Sequence, residues 1–193
     1  YSEDAFLSGV MGANEVQGYN EKGVNTFLKH FALNDQETNR YAVSVWCNEQ
    51  AARELYFKPF ELSVKQGGSR GVMSSFNRLG TTWAGASYPL LTTVLREEWG
   101  FQGCVVSDMA CWAYQDVDQG IRAGNDLMLT LAKTLPTEDS TGSNSGQQAM
   151  RNATHNILYA LANSCAMEVA SKQNSTTGIL LQAGVDVALL AVA

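Results

Sequence analysis

The sequence contains no CxxC pair, and its four cysteines (Cys47, Cys104, Cys111 and Cys165) show no tight grouping with either of its two histidines. Zinc-ligand spacings are therefore absent, and no metal is expected. No strand-like segment is followed by a GxGxxG run or a P-loop, which leaves a nucleotide-binding open sheet without support. Positive charge is scarce. Thirteen Lys and Arg against nineteen Asp and Glu give a net charge of −6 and a pI near 4.9. That balance argues against a nucleic-acid partner, which needs a basic face. The chain opens on Tyr1 and not on Met, with no charged n-region or apolar h-region behind it. It is expected to be an internal piece of a longer protein, where a missing signal peptide says nothing about export.

What remains is an ordinary globular composition. The chain has 193 residues, 45 % of them hydrophobic, enough for one domain with a real core. Cys104 sits inside an apolar run and reads as a core thiol.

The stretch Gly103 to Trp112 organises the chain. Cys104-Val105-Val106 is a short apolar run bounded by glycine, the pattern of a buried parallel strand. It ends in Ser107-Asp108, which serves either as a helix cap or as an acid placed where α/β folds keep their chemistry. Similar runs occur at 24–32, 71–77 and 124–129. Between them, helices are expected over 3–20, 47–66 (kinked or divided by Pro59), from Pro89 to Trp99, around 114–123 and over 147–163. Residues 133–149 read as a polar linker. Strand and helix alternate about four times, as in βα units.

The strand ends carry Lys29-His30, Ser74-Ser75-Asn77, Ser107-Asp108 and Asn125-Asp126. In a barrel such ends converge on one face. A cation, an imidazole and a carboxylate there suit a polyhydroxylated substrate, with Asp108 as nucleophile or electrostatic stabiliser. Each residue also has a plainer role. His30 fits a core histidine, Lys29 a solvated charge or a Schiff-base lysine, and Asp126 a turn cap.

Five stretches resemble glycoside hydrolase family 3, the β-glucosidase and β-xylosidase family. They are Ser2 to Gly9, Leu28 to Arg40, Gly71 to Asn77, Leu95 to Asp108 and Ala123 to Met128, in the family's order. The resemblance covers residues 1 to about 165. It implies a (β/α)8 TIM barrel, of which about four βα units, the C-terminal half, are present in residues 1–165. It implies that Asp108 is the catalytic nucleophile of a retaining hydrolysis, that Lys29 and His30 bind sugar hydroxyls, and that Arg40 is a further binding residue. No metal or cofactor is implied, and the substrate is a small carbohydrate, with terminal β-D-glucose as the first expectation.

Three departures qualify this. Phe76 stands where many members have a tyrosine beside the nucleophile. Lys29-His30-Phe31 is not followed by the second histidine of the N-acetylglucosaminidase branch. No segment resembles the domain that carries the acid/base residue of the β-glucosidase branch, so that residue is expected in another part of the parent chain, and the fragment alone is expected to be inactive. Residues 166–193 form a linker and an apolar tail. The tail is shorter than the roughly 20 residues of a membrane span; it is either the start of such an anchor, which would make the protein extracellular or membrane-anchored, or core of a following domain. Two rival functions stand beside the glycosidase: a barrel aldolase using Lys29, and a non-catalytic carbohydrate-binding or membrane-tethered fragment.

Overall fold

The computed structural model describes residues 1–41, 43–130 and 135–168. Three strands, β1 (Leu28–Phe31), β3 (Gly71–Ser74) and β6 (Cys104–Val106), form a parallel sheet in the order β1-β3-β6. Gly71, Val72 and Met73 pair with Cys104, Val105 and Val106, while Leu28 pairs with Val72 and Phe31 with Ser74 across an irregular register. The fourth expected strand, 124–129, is reduced to one parallel bridge between Leu127 and Val106. Asp126 and Leu127 N–H both bond to Val105 O, at 2.8 and 3.1 Å, so this segment still lies along β6.

Helices fill the crossovers. Helix α1 (Ala5–Asn20) starts where Asp4 accepts the Leu7 N–H at 2.8 Å, the ordinary N-cap bond. It packs on α3 (Lys58–Lys65) through Gly9 and Gly12; a Cβ at either would collide with Leu62 or Ser63. The expected single helix over 47–66 is divided. A short α2 (Glu49–Ala51) runs into a wider turn at Ala52–Tyr56, where the Phe57 N–H reaches back to Ala52 O at 2.8 Å. Pro59 has no N–H for the helical ladder, so α3 begins anew around it. The Pro89–Glu98 helix turns Leu90, Leu91, Val94 and Leu95 inward. Helix α4 (Val117–Ala123) is capped by Asp116 and ends at Gly124, whose φ of 98° suits glycine.

The stretch expected as a polar linker, 133–149, differs. It contains α5 (Glu138–Thr141), and α6 (Asn144–Ala162) begins within it. Polarity there serves caps, not solvation: Thr137 accepts from Asp139 N–H, and Ser143 from Gly146 N–H. The strand expected over 24–32 is confined to Leu28–Phe31, and the Asn25 amide is given to Ala160 O of α6 at 2.6 Å. A second sheet goes beyond the sequence expectations. Strands β2 (Ser44–Val45), β4 (Arg78–Leu79) and β5 (Thr82–Trp83) are each two residues long, too short to show a period-2 pattern.

The core lies between the parallel sheet and the helices. Phe31 is fully buried, with ring centroids of Phe60, Trp99 and Phe57 at 5.0, 5.6 and 5.8 Å. Val72, Val105, Leu91 and Leu95 close it from the other strands and the Pro89–Glu98 helix. Each such side chain contributes about 1.5–3 kcal/mol by leaving water. Cys104 is buried as a core thiol, and burial pushes its pKa up to about 12. All four cysteines are free. Among the described residues no helix is long and apolar enough to cross a membrane, and the apolar tail at 178–193 lies outside them.

Candidate active site

The end of β6 is held from both sides. Ser107 N–H bonds to Leu127 O at 2.8 Å, and Asp108 N–H to Ser74 O at 3.1 Å. Ser107 Oγ also accepts the Leu129 N–H at 2.9 Å. Asp108 thus leaves the sheet in a defined direction. Its Oδ1 accepts the Met109 N–H at 2.8 Å, and its Oδ2 stands 3.3 Å from His30 Nε2. Both side chains keep some access to solvent, 16 % for Asp108 and 24 % for His30.

His30 sits on β1, two strands away. The Lys29–His30 and Phe31–Ala32 peptides are both cis. Burial lowers the His30 pKa below its ordinary value, the Lys29 and Arg40 charges lower it further, and Asp108 opposes them. At neutral pH the imidazole is therefore neutral. It meets Asp108 as a polar neighbour and not as a cation.

Lys29 stands less close. It is among the residues that line a cleft of about 600 Å³ between α1, β1 and α3, together with Glu15, Tyr19 and Phe60. Among the described residues it forms no ion pair with Asp108, but its charge acts on His30 and lowers the imidazole pKa. Of the two residues, His30 is the one in contact with the carboxylate.

Arg40 lies in the loop after β1. It pairs with Glu37 at 3.0 Å and donates to Tyr41 Oη at 3.3 Å. Its guanidinium carbon lies 5.1 Å from the ring centres of both Tyr41 and Phe76. The Tyr41 hydrogen bond raises its pKa, with Glu37 and Asp108 adding to the effect, so Arg40 shares the electrostatic field of Asp108.

The remaining strand-end polar groups serve the backbone. Ser75 Oγ and Asn77 Nδ2 both donate to Ala32 O, at 3.0 and 3.1 Å. Asn125 Nδ2 donates to Gly85 O at 3.3 Å. Asp126 is not the turn cap that its position suggests. Its buried carboxylate takes the Val105 N–H at 2.7 Å, Arg96 at 2.7 Å and the Asn156 amide at 2.9 Å, joining β6 to two helices. Burial raises its pKa, with Arg96 as the main opposing influence.

One cluster near the site is not legible in the sequence, which marks only Phe76 among its members. Tyr41, Phe76 and Trp112 form a three-ring cluster: Tyr41 and Trp112 lie 4.1 Å apart at 30°, and Phe76 meets each edge-on at 5.0 and 5.4 Å. Isolated aromatics in separate loops leave no periodic signal; beyond the departure at Phe76, only the closeness of Trp112 to Asp108 in the chain hinted at a role.

Residues 1–144 match the family model described as Glycosyl hydrolase family 3 N terminal domain. A beta-glucosidase of Ruminococcus albus is 36 % identical over 143 residues, covering 68 % of this chain and 15 % of the relative. An exo-alpha-(1->6)-L-arabinopyranosidase of Bifidobacterium longum is 42 % identical over 127 residues, covering 66 % of this chain and 16 % of the relative. Among solved structures, beta-glucosidase 3B from Thermotoga neapolitana in complex with glycerol superposes with a TM-score of 0.77 at 34 % identity, over 87 % of this chain and 25 % of that one. The chain thus spans about 15 % of the length of the curated relatives it matches.

Proposed function

The chain belongs to glycosyl hydrolase family 3, and from that premise we propose that it is part of a retaining glycosidase that hydrolyses terminal O-glycosyl bonds, with Asp108 as the nucleophile. The observation that carries this is the Asp108 carboxylate at the end of β6, with His30 Nε2 3.3 Å from its Oδ2. One oxygen is tethered by the Met109 N–H, which keeps the carboxylate in one orientation. In the first step a carboxylate oxygen bonds to the anomeric carbon as the bond to the leaving oxygen breaks and an acid protonates that oxygen. In the second, water attacks the glycosyl-Asp108 ester and restores the carboxylate.

His30 and Arg40 are proposed to bind sugar hydroxyls around Asp108. Lys29 is proposed to join them, its charge already acting on His30. The names of the relatives favour a β-glucoside, and an L-arabinopyranoside is the second candidate. The parallel order β1-β3-β6, with Leu127 beyond, supports placing residues 1–165 as four βα units forming the C-terminal half of a (β/α)8 barrel. The proton donor and the other strands are then supplied by the rest of the parent protein.

Treatment of the parent protein with a 2-deoxy-2-fluoro-β-glucoside bearing a good leaving group tests the reading. The expected result is a mass increase of one fluoroglucosyl group on the peptide containing Asp108. Modification of a different carboxylate would overturn it.

A further inference from the structure

The loop after Asp108 is folded around one side chain. Gln115 is buried, and its Oε1 accepts the N–H groups of Cys111 and Trp112 at 3.0 and 3.2 Å, while its Nε2 donates to Met109 O at 3.3 Å. The Gln115 N–H bonds back to Trp112 O at 3.0 Å. An uncharged amide suits this task, because it accepts and donates at once. The peptide segment from Met109 to Trp112 is thereby tied down just beyond the carboxylate.

Trp112 carries that order across to a second loop. Its ring lies on Tyr41 at 4.1 Å and against Phe76 at 5.4 Å, and these two rings hold the Arg40 guanidinium carbon, each at 5.1 Å. Phe76 is 2 % exposed and provides a fixed wall, whereas Tyr41 is 44 % exposed and is covered by Trp112 on one side and met edge-on by Phe76. Arginine over an aromatic face is attracted by the ring quadrupole, and the attraction restricts where the guanidinium goes.

We propose that Gln115 and Trp112 are positioning residues: the amide of Gln115 fixes Trp112, and Trp112 with Tyr41 and Phe76 holds Arg40 in place beside Asp108. Phe76 acquires a reason of its own in this arrangement, as the inner face of the arginine site. The use of Arg40 toward sugar rests on the glycosidase reading above; its placement does not.

Two measurements on the parent protein separate these points. In 15N-resolved NMR spectra the Arg40 Nε–Hε signal is expected to be displaced by the Tyr41 and Phe76 ring currents, to return toward the free-arginine position in Trp112→Ala and Gln115→Ala, and to stay displaced in Trp112→Phe, which keeps a ring and guards against loss of folding. An Arg40 signal unmoved by Trp112→Ala in a folded chain overturns the proposal. Methyl β-D-glucoside is then titrated into the same samples. A rise in Kd of about three- to tenfold in Trp112→Ala, restored in Trp112→Phe, supports the positioning role; an unchanged Kd overturns it. If the wild-type parent protein takes up no glucoside while the Arg40 signal follows the expected pattern, the positioning stands and the sugar-binding reading of Arg40 fails.

Discussion

Arg96 and Asp126 meet at 2.7 Å in the interior, and the same carboxylate oxygen takes the Val105 N–H at 2.7 Å. The Asp126 side chain is only 2 % accessible and that of Arg96 15 %. Arg96 also donates to Gly103 O and Gly124 O, so one guanidinium links the start of β6 to the end of α4. This is the joint that holds β6 against its helices.

Removing one member of such a pair leaves the other buried and unpaired. Asp126→Ala is therefore expected to cost about 3–5 kcal/mol, read as a lower urea midpoint. The double variant Arg96→Met/Asp126→Leu is expected to lose less than the single one. A double variant as unstable as Asp126→Ala would show that the cost is not that of an unpaired buried charge and that the site requires the hydrogen bonds of the pair itself.

The His30 imidazole titrates below its ordinary value of 6.5 because it is partly buried and stands near Lys29 and Arg40. The unfolded chain then holds more protons at this position than the native one between the lowered pKa and 6.5. Stability from His30 is full above 6.5 and is lost as the pH falls toward the lowered value. NMR titration of the His30 ring should give a midpoint under 6.5, and Asp108→Asn should move it lower still, since the Asp108 charge raises it. A midpoint that rises in Asp108→Asn would contradict the contact.

Thiol reactivity should follow exposure and ionisation. Cys47 and Cys111 are exposed, whereas Cys104 is buried with its pKa pushed up to about 12. Thiolate is the reacting form. A thiol reagent at pH 8 is expected to label Cys47 and Cys111 first and Cys104 only on denaturation, with peptide mass mapping as the readout.

In the parent protein, Asp108→Gly is expected to reduce turnover of an aryl β-glucoside by roughly 10⁴-fold or more while leaving the fold intact. Azide should restore release of the aryl group and yield the α-glycosyl azide, because the anion fills the space of the missing carboxylate and attacks from the same face. Formation of the β-azide would assign the opposite stereochemical course.

The alternating α/β class and the order of the main elements were legible in the sequence. Gly-bounded apolar runs at 71–74 and 104–106 and amphipathic segments such as the Pro89–Glu98 helix announce themselves locally, because burial imposes a period on the residues nearest in the chain. Helix α1 does not: it buries Gly9, Gly12, Ala13 and Val16 and leaves Phe6, Leu7 and Met11 exposed. The sequence also marked Asp108, since a polar pair ending an apolar run needs a reason. The tertiary structure alone decided which groups meet. Whether Lys29 or His30 faces Asp108 depends on the direction each side chain takes from β1, and adjacent residues look equally eligible in a linear text. Asp126 passes for a cap until Arg96 and Asn156 arrive from two helices. Trp112 finds Tyr41 and Phe76 only when three strand ends lie side by side. Such contacts join residues far apart in the chain; they follow from the packing of faces and not from any local pattern.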